Sequence, residues 1–139
     1  MKLLFLVNDF DFFLSHRLAI AVCSREKGFD VCVAAPGNPP TEIIECGLTA
    51  VSIPFSRRGV NPFAEARSLW ALYKLFRRFR PDLAHFITIK PVLYGGLMAR
   101  LTRVPAVVSA ISGLGSVFVS QGQRAGMMRR IVQAIYKLA

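Results

Sequence analysis

Five short apolar runs punctuate the chain at Lys2–Asn8, Phe29–Ala35, Leu48–Ile53, Asp82–Phe86 and Ala106–Ala110, and segments with helical spacing separate them. Strands joined through helices cannot turn straight back on their neighbours. They pair in parallel through crossovers, so the pattern predicts an α/β fold with a doubly wound parallel sheet of five or more strands.

Local signals set the expected helix limits. Leu14-Ser15 followed by Leu18, Ala19 and Val22 predicts a helix capped by Ser15 and stopped at Gly28. A short helix through Glu42–Glu45 ends at Gly47. The longest helix takes Asn61 as its cap, Pro62 at its first position and Glu65 in its first turn, and Pro81 ends it at Arg80. The next runs from Pro91 to about Thr102, and a last one is expected near Gln123–Leu138 after a Gly113-Leu114-Gly115 loop. With 139 residues and 53% hydrophobic composition, one Rossmann-like domain with a real core is expected. No apolar run approaches the roughly 18 residues of a spanning helix, and the start is too short for a signal peptide, so a cytoplasmic location is expected. Cys23, Cys32 and Cys46 lie in apolar segments without metal-type spacing, which predicts buried free thiols.

Charge is unevenly placed. Residues 1–56 carry four Lys/Arg and six Asp/Glu, a net of −2, whereas residues 57–139 carry fourteen and two, a net of +12. The second part of the chain therefore calls for an anionic partner: a phosphate-bearing ligand, acidic lipid or nucleic acid.

Ligands of open parallel sheets sit beyond the carboxyl ends of the strands. The segment from Pro81 to Pro91 places His85, Thr88 and Lys90 there, at the end of the fourth strand and the start of the next helix. Lys90 beside a helix N-terminus suits a diphosphate or carboxylate, the alternative being a solvated lysine. His85 suits a hydrogen bond to a ligand, the alternative being a buried imidazole tied to backbone. His16 and Arg17 fall in the first turn after Ser15, where cations oppose the helix dipole, so either an anionic ligand or pairing with Asp9 or Asp11 is expected. Tyr94 and Gly95-Gly96 read as packing residues, and Gly113 and Gly115 as a loop whose amides wrap a ligand at the same edge. On the long helix, Leu69, Leu72, Tyr73, Phe76 and Phe79 should face the sheet, while Arg67, Lys74 and Arg78, with Trp70 and Arg77 on the flank, form a basic outer stripe. Such a stripe is either a solvated face or a contact with anionic membrane. The last helix adds Arg124, Arg129, Arg130 and Lys137 opposite an apolar side of Met127, Met128, Ile131 and Ile135.

Asn8 through Arg17 ending in Phe13-Leu14-Ser15-His16-Arg17, then Asn61-Pro62, Arg80-Pro81-Asp82 with His85, Lys90-Pro91 with Tyr94-Gly95, and Ile111-Ser112-Gly113-Leu114-Gly115 together resemble a known family over essentially the whole chain. It is the first domain of the family 4 retaining glycosyltransferases, built from two facing Rossmann-like halves (the GT-B type), which extend polysaccharides on polyprenyl-diphosphate carriers. The resemblance implies that this half meets the acceptor and the sugar end of a nucleotide diphosphate sugar through Asn8, Asp9, Ser15, His16, Arg17, His85, Thr88, Lys90, Gly113 and Gly115. It also implies that a C-terminal nucleotide-binding half, absent from this sequence, completes the enzyme, with no metal and no cofactor required. Asn8–Phe13 lacks the glycines many relatives carry in that loop, and of their His-x-His only the first histidine, His85, is present. The chain ends inside a helical pattern, so a fragment inactive alone is expected. Three other readings stay open: a non-catalytic membrane-recruiting subunit, half of a nucleotide-sugar epimerase, and a nucleic-acid module, which lacks any recognition motif and is not expected.

Overall fold

The computed structural model describes residues 1–55 and 61–110. Its element order is β1 (Lys2–Leu6), α1 (Phe10–His16), α2 (Leu18–Glu26), β2 (Asp30–Ala35), α3 (Thr41–Glu45), β3 (Thr49–Ser52), α4 (Pro62–Phe79), β4 (Leu83–Ile87), α5 (Ile89–Thr102) and β5 (Ala106–Ala110). The five strands form one all-parallel sheet in the order β3-β2-β1-β4-β5. The expected doubly wound α/β sheet is therefore present. The chain's direction across the sheet reverses between β1 and β4.

Side-chain alternation splits the core into two layers. Leu4, Leu6, Ala84 and Phe86 face α4 and α5, where Leu72, Phe76, Val92 and Met98 close on them. Leu3, Phe5, Val33 and Ile87 face the other way, under Phe10, Phe13, Ala21 and Ile43 of the first three helices. Leu72 and Phe76 of α4 are buried, and Leu69, Tyr73 and Phe79 are partly buried against them, as the helical spacing required. Gly95 lets α5 sit down on the sheet. A Cβ there would lie 2.7 Å from the Phe86 ring and 2.8 Å from Leu6 Cδ2, whereas one at Gly96 would meet nothing within 4 Å.

Four expectations need correction. The first helix does not start at Ser15: Asp9 caps α1, its Oδ1 accepting from the Asp11 amide at 2.9 Å. Phe10 and Phe13, one turn apart, bury together and carry the helix forward, and Arg17 (φ −130°, ψ −13°) breaks it from α2. Ser15 consequently sits inside α1 and donates to the carbonyl of Asp11 at 2.8 Å. His85 is not at a strand end, because Phe86 and Ile87 continue the ladder against Leu6 and Ala110. Helix α5 begins at Ile89, before Pro91, which is tolerated because a first-turn N–H has no intrahelical partner anyway. Of the cysteines only Cys32 is buried, its thiol pushed up to about 12 by burial and then by Asp30, while Cys23 lies on the exposed side of α2. Gly113, Gly115 and the last helix lie outside the described residues.

Candidate functional site

The strand order reverses between β1 and β4, and such sheets bind ligands beyond the carboxyl ends of the strands at a reversal of this kind. Four buried side-chain atoms of the described residues have no hydrogen-bond partner: Asn8 Oδ1, Arg17 Nε, His85 Nε2 and Thr88 Oγ1. Asn8 follows β1, Thr88 follows β4, His85 lies within β4, and Arg17 occupies the α1–α2 break. Folding normally satisfies buried polar groups, because leaving one unpaired costs about 1–3 kcal/mol. Four of them in or next to β1, β4 and the α1–α2 break mark this end of the sheet as the candidate ligand surface.

His85 is paired in register with Phe5 of β1, and their rings lie 5.2 Å apart and tilted by 39°. Burial, and secondly the charge of Arg17, hold its imidazole below the ordinary value of 6.5. It is therefore neutral at physiological pH, with one ring nitrogen to donate and one to accept. Arg17 contributes the fixed cation. Positive charge beside a neutral imidazole and two uncharged polar groups suits a ligand with hydroxyls next to an anion.

Thr88 carries a second sign. Its backbone is at φ 76°, ψ 164°, a region that β-branched residues avoid, and its hydroxyl makes no cap bond to α5. The Thr88 amide donates to the carbonyl of Ala110 at 3.0 Å, which ties the strained residue to β5. Strain of this kind costs about 1–3 kcal/mol and persists where surrounding structure imposes it, often at ligand sites.

Lys90 behaves differently from either expectation. Its ammonium lies 2.8 Å from Glu65 of α4, whose other carboxylate oxygen accepts the Tyr94 hydroxyl. Lys90 Nζ also stands 5.4 Å from the centre of the Tyr94 ring. The Glu65 carboxyl is held below the usual carboxylate range by the hydrogen bonds from Lys90 and then Tyr94, and the Tyr94 phenol is pushed up to about 12 by burial and then by Glu65. The lysine is thus a strut between the starts of α4 and α5 rather than a solvated cation. Sequence reading missed Glu65 and took Tyr94 as packing; the only available signal was Lys90 and Tyr94 four residues apart on one helix face.

The remaining first-loop residues have local partners. Asp9 caps α1. His16 is in the last turn of α1, the end where the dipole favours a cation, which removes the argument from unfavourable placement. It stacks on Phe12 at 4.5 Å, with Nδ1 2.7 Å from Ser15 Oγ. The structure therefore places Asn8 just past β1 and Thr88 just past β4, sets the Arg17 charge near His85, and turns Ser15 and His16 toward α1 itself. On α4, Arg67, Trp70, Lys74, Arg77 and Arg78 are exposed, with Lys74 Nζ 5.4 Å from the Trp70 ring centre.

The family model for glycosyl transferase 4-like proteins matches residues 2–139. The chain belongs to that family. It is 27% identical over 136 residues to the N,N'-diacetylbacillosaminyl-diphospho-undecaprenol alpha-1,3-N-acetylgalactosaminyltransferase of Campylobacter jejuni, covering 91% of this chain and 36% of that protein. It is also 27% identical over 110 residues to the UDP-Gal:alpha-D-GlcNAc-diphosphoundecaprenol alpha-1,3-galactosyltransferase of Escherichia coli, covering 78% of this chain and 26% of the relative. This glycosyl transferase 4-like chain thus spans about a third or less of the relatives it matches. Among solved structures it resembles MurG of Acinetobacter baumannii, with a TM-score of 0.57, 16% identity, and coverage of 78% of this chain and 33% of that one. It also resembles the UDP-GlcNAc 2-epimerase of Neisseria meningitidis, with a TM-score of 0.55, 12% identity, and coverage of 76% and 31%. At these identities the structural likeness speaks for the fold alone.

Proposed function

We propose that the chain is the acceptor-side half of a glycosyltransferase that moves a hexose or N-acetylhexosamine from a nucleotide diphosphate sugar to a lipid-linked saccharide in polysaccharide synthesis. The observation that carries this reading is the set of four unpartnered polar atoms in or next to β1, β4 and the α1–α2 break in a chain of this family. Arg17 supplies positive charge for the carrier's diphosphate. Asn8, neutral His85 and Thr88 meet sugar hydroxyls and hold the accepting one in place, so the chain's contribution to rate is orientation. A C-terminal nucleotide-sugar-binding half, in the same polypeptide or a partner subunit, completes the cleft. Basic residues and helix termini hold the leaving diphosphate, and the reading calls for no metal or cofactor.

In the same reading, the α4 stripe of Arg67, Trp70, Lys74, Arg77 and Arg78 rests on anionic lipid and keeps the protein peripheral at the cytoplasmic face of the membrane. No described helix is long and apolar enough to cross one. Each basic residue near such a surface contributes about 1 kcal/mol. Neutralising Arg67, Lys74, Arg77 and Arg78 should reduce sedimentation with acidic vesicles, and unchanged sedimentation returns that face to plain solvation.

The site itself is tested by titrating the chain with a short-chain polyprenyl-diphosphate N-acetylhexosamine. Arg17→Ala and His85→Ala should each weaken binding by about tenfold or more, the loss of a charge-assisted or buried hydrogen bond. Unchanged affinity in both would overturn the reading. The purified chain should catalyse no transfer from UDP-sugars to this acceptor, and robust turnover would refute its being only one half of the machinery.

A further inference from the structure

We infer that the opposite, amino-terminal edge of the sheet carries a separate site for a phosphate group, formed by Arg77, Arg80 and Arg103. These three arginines line one cavity of about 250 Å³ between the ends of α4 and α5, floored by Phe76, Pro81 and Val104. No acceptor among the described residues pairs with any of their guanidiniums. The cavity's acid is Asp82, whose Oδ2 accepts the Lys2 amide at 2.7 Å, and its Thr102 hydroxyl is given to the Met98 carbonyl at 2.7 Å. Three exposed guanidiniums against one committed carboxylate give this open cavity a net positive lining suited to an anion.

Backbone conformation adds an independent observation. Arg80 (φ 53°, ψ 65°) and Arg103 (φ 58°, ψ 49°) are the left-handed caps that end α4 and α5. That position favours glycine, since a Cβ is strained there. Both helices instead end in arginine, and both arginines line the same cavity. A need for cations near helix C-termini does not explain this, because Arg77, Arg78 and Arg100 already meet it from regular helical positions. Phosphate oxygens match guanidinium forks in geometry and charge.

The backbone supplies a test in which folding and binding move in opposite directions. Arg80→Gly with Arg103→Gly removes two guanidiniums and relieves two left-handed residues. The double variant should melt at or above the parent temperature, yet lose about tenfold or more of its affinity for inorganic diphosphate in calorimetry, or for phosphatidylglycerol vesicles in sedimentation. Arg67→Gln with Lys74→Gln on the outer face of α4 should leave diphosphate binding intact. Binding of free diphosphate identifies a soluble phosphate ligand, and binding of vesicles alone identifies a lipid headgroup when it survives Arg67→Gln with Lys74→Gln and is lost in the double variant. Equal binding by parent and double variant overturns the proposal, as does an absence of binding to either probe or binding confined to oligonucleotides.

Discussion

The two edges of this sheet are finished in opposite ways. At the amino edge the polar backbone is closed: the Asp82 carboxylate takes the Lys2 amide, the Asp82 amide donates to the Lys2 carbonyl at 2.9 Å, and left-handed caps return the amides of Arg80 and Arg103 to their helices. At the carboxyl edge Asn8, Arg17, His85 and Thr88 each retain a buried, unpartnered atom, and Thr88 is strained as well. The same strands feed both edges, yet Lys2, Arg80 and Arg103 at the first are exposed while the unpartnered atoms at the second are buried. At one edge the backbone is closed and the arginines lie exposed, and at the other buried polar atoms are left without partners. The consequence is that removing Asp82 at the amino edge should destabilise the fold, whereas removing the strained Thr88 at the carboxyl edge should stabilise it.

The largest effect breaks the comparison from below. Gly95→Ala would drive a methyl into Phe86 and Leu6, both fully buried, and lift α5 together with the carboxyl-edge wall it carries. Urea denaturation should show a loss of about 1–3 kcal/mol, the usual result of overpacking. One residue further on, Gly96→Ala meets open space within a helix and should be neutral or stabilising by up to about 1 kcal/mol. Thr88→Gly sharpens the contrast at the carboxyl edge. Relief of its backbone should raise stability by about 1 kcal/mol or more while weakening acceptor binding, because the hydroxyl is lost with the strain. A fall in stability would show that Thr88 serves the fold.

Asp82→Ala makes the matching test at the amino edge. It frees the Lys2 amide and should destabilise by about 1 kcal/mol, leaving acceptor binding unchanged. The smallest expected effect is a pH dependence at His85. Its folded imidazole is held below the ordinary value of 6.5, so the unfolded chain binds the proton more readily. Neutral His85 therefore contributes stability that is complete above about 6.5 and declines as pH falls toward the lowered folded value. His85→Gln should flatten that part of the stability profile, measured by thermal melts between mild acid and neutrality.

The fold was legible because five apolar runs and the helices between them admit few other arrangements, and both core layers follow from strand alternation. The candidate site was legible as a neighbourhood: His85 and Thr88 came from the rule that parallel sheets bind ligands at their carboxyl edge, Arg17 from a cation set just after Ser15, and Asn8 from the family resemblance. Their roles were not. Ser15 and Asp9 both look like helix caps in one dimension, and only the burial of Phe10 with Phe13 decides for Asp9. Lys90 looked free because its partner Glu65 stands 25 residues away on another helix. Left-handed arginines at 80 and 103 leave no trace in a pattern of residue types, since αL conformation is visible only in the backbone.

The central claim, that the carboxyl edge is the ligand edge, is tested most directly by hydrogen–deuterium exchange of the chain with and without a short-chain polyprenyl-diphosphate N-acetylhexosamine. The account predicts slowed exchange in the segments 8–18 and 85–91, which persists in Arg80→Gly with Arg103→Gly, whereas any slowing at the turns 80–82 and 103–105 reports the separate phosphate cavity and is lost in that double variant. Protection confined to the amino-edge turns, or absent from both segments at saturating ligand, would contradict it.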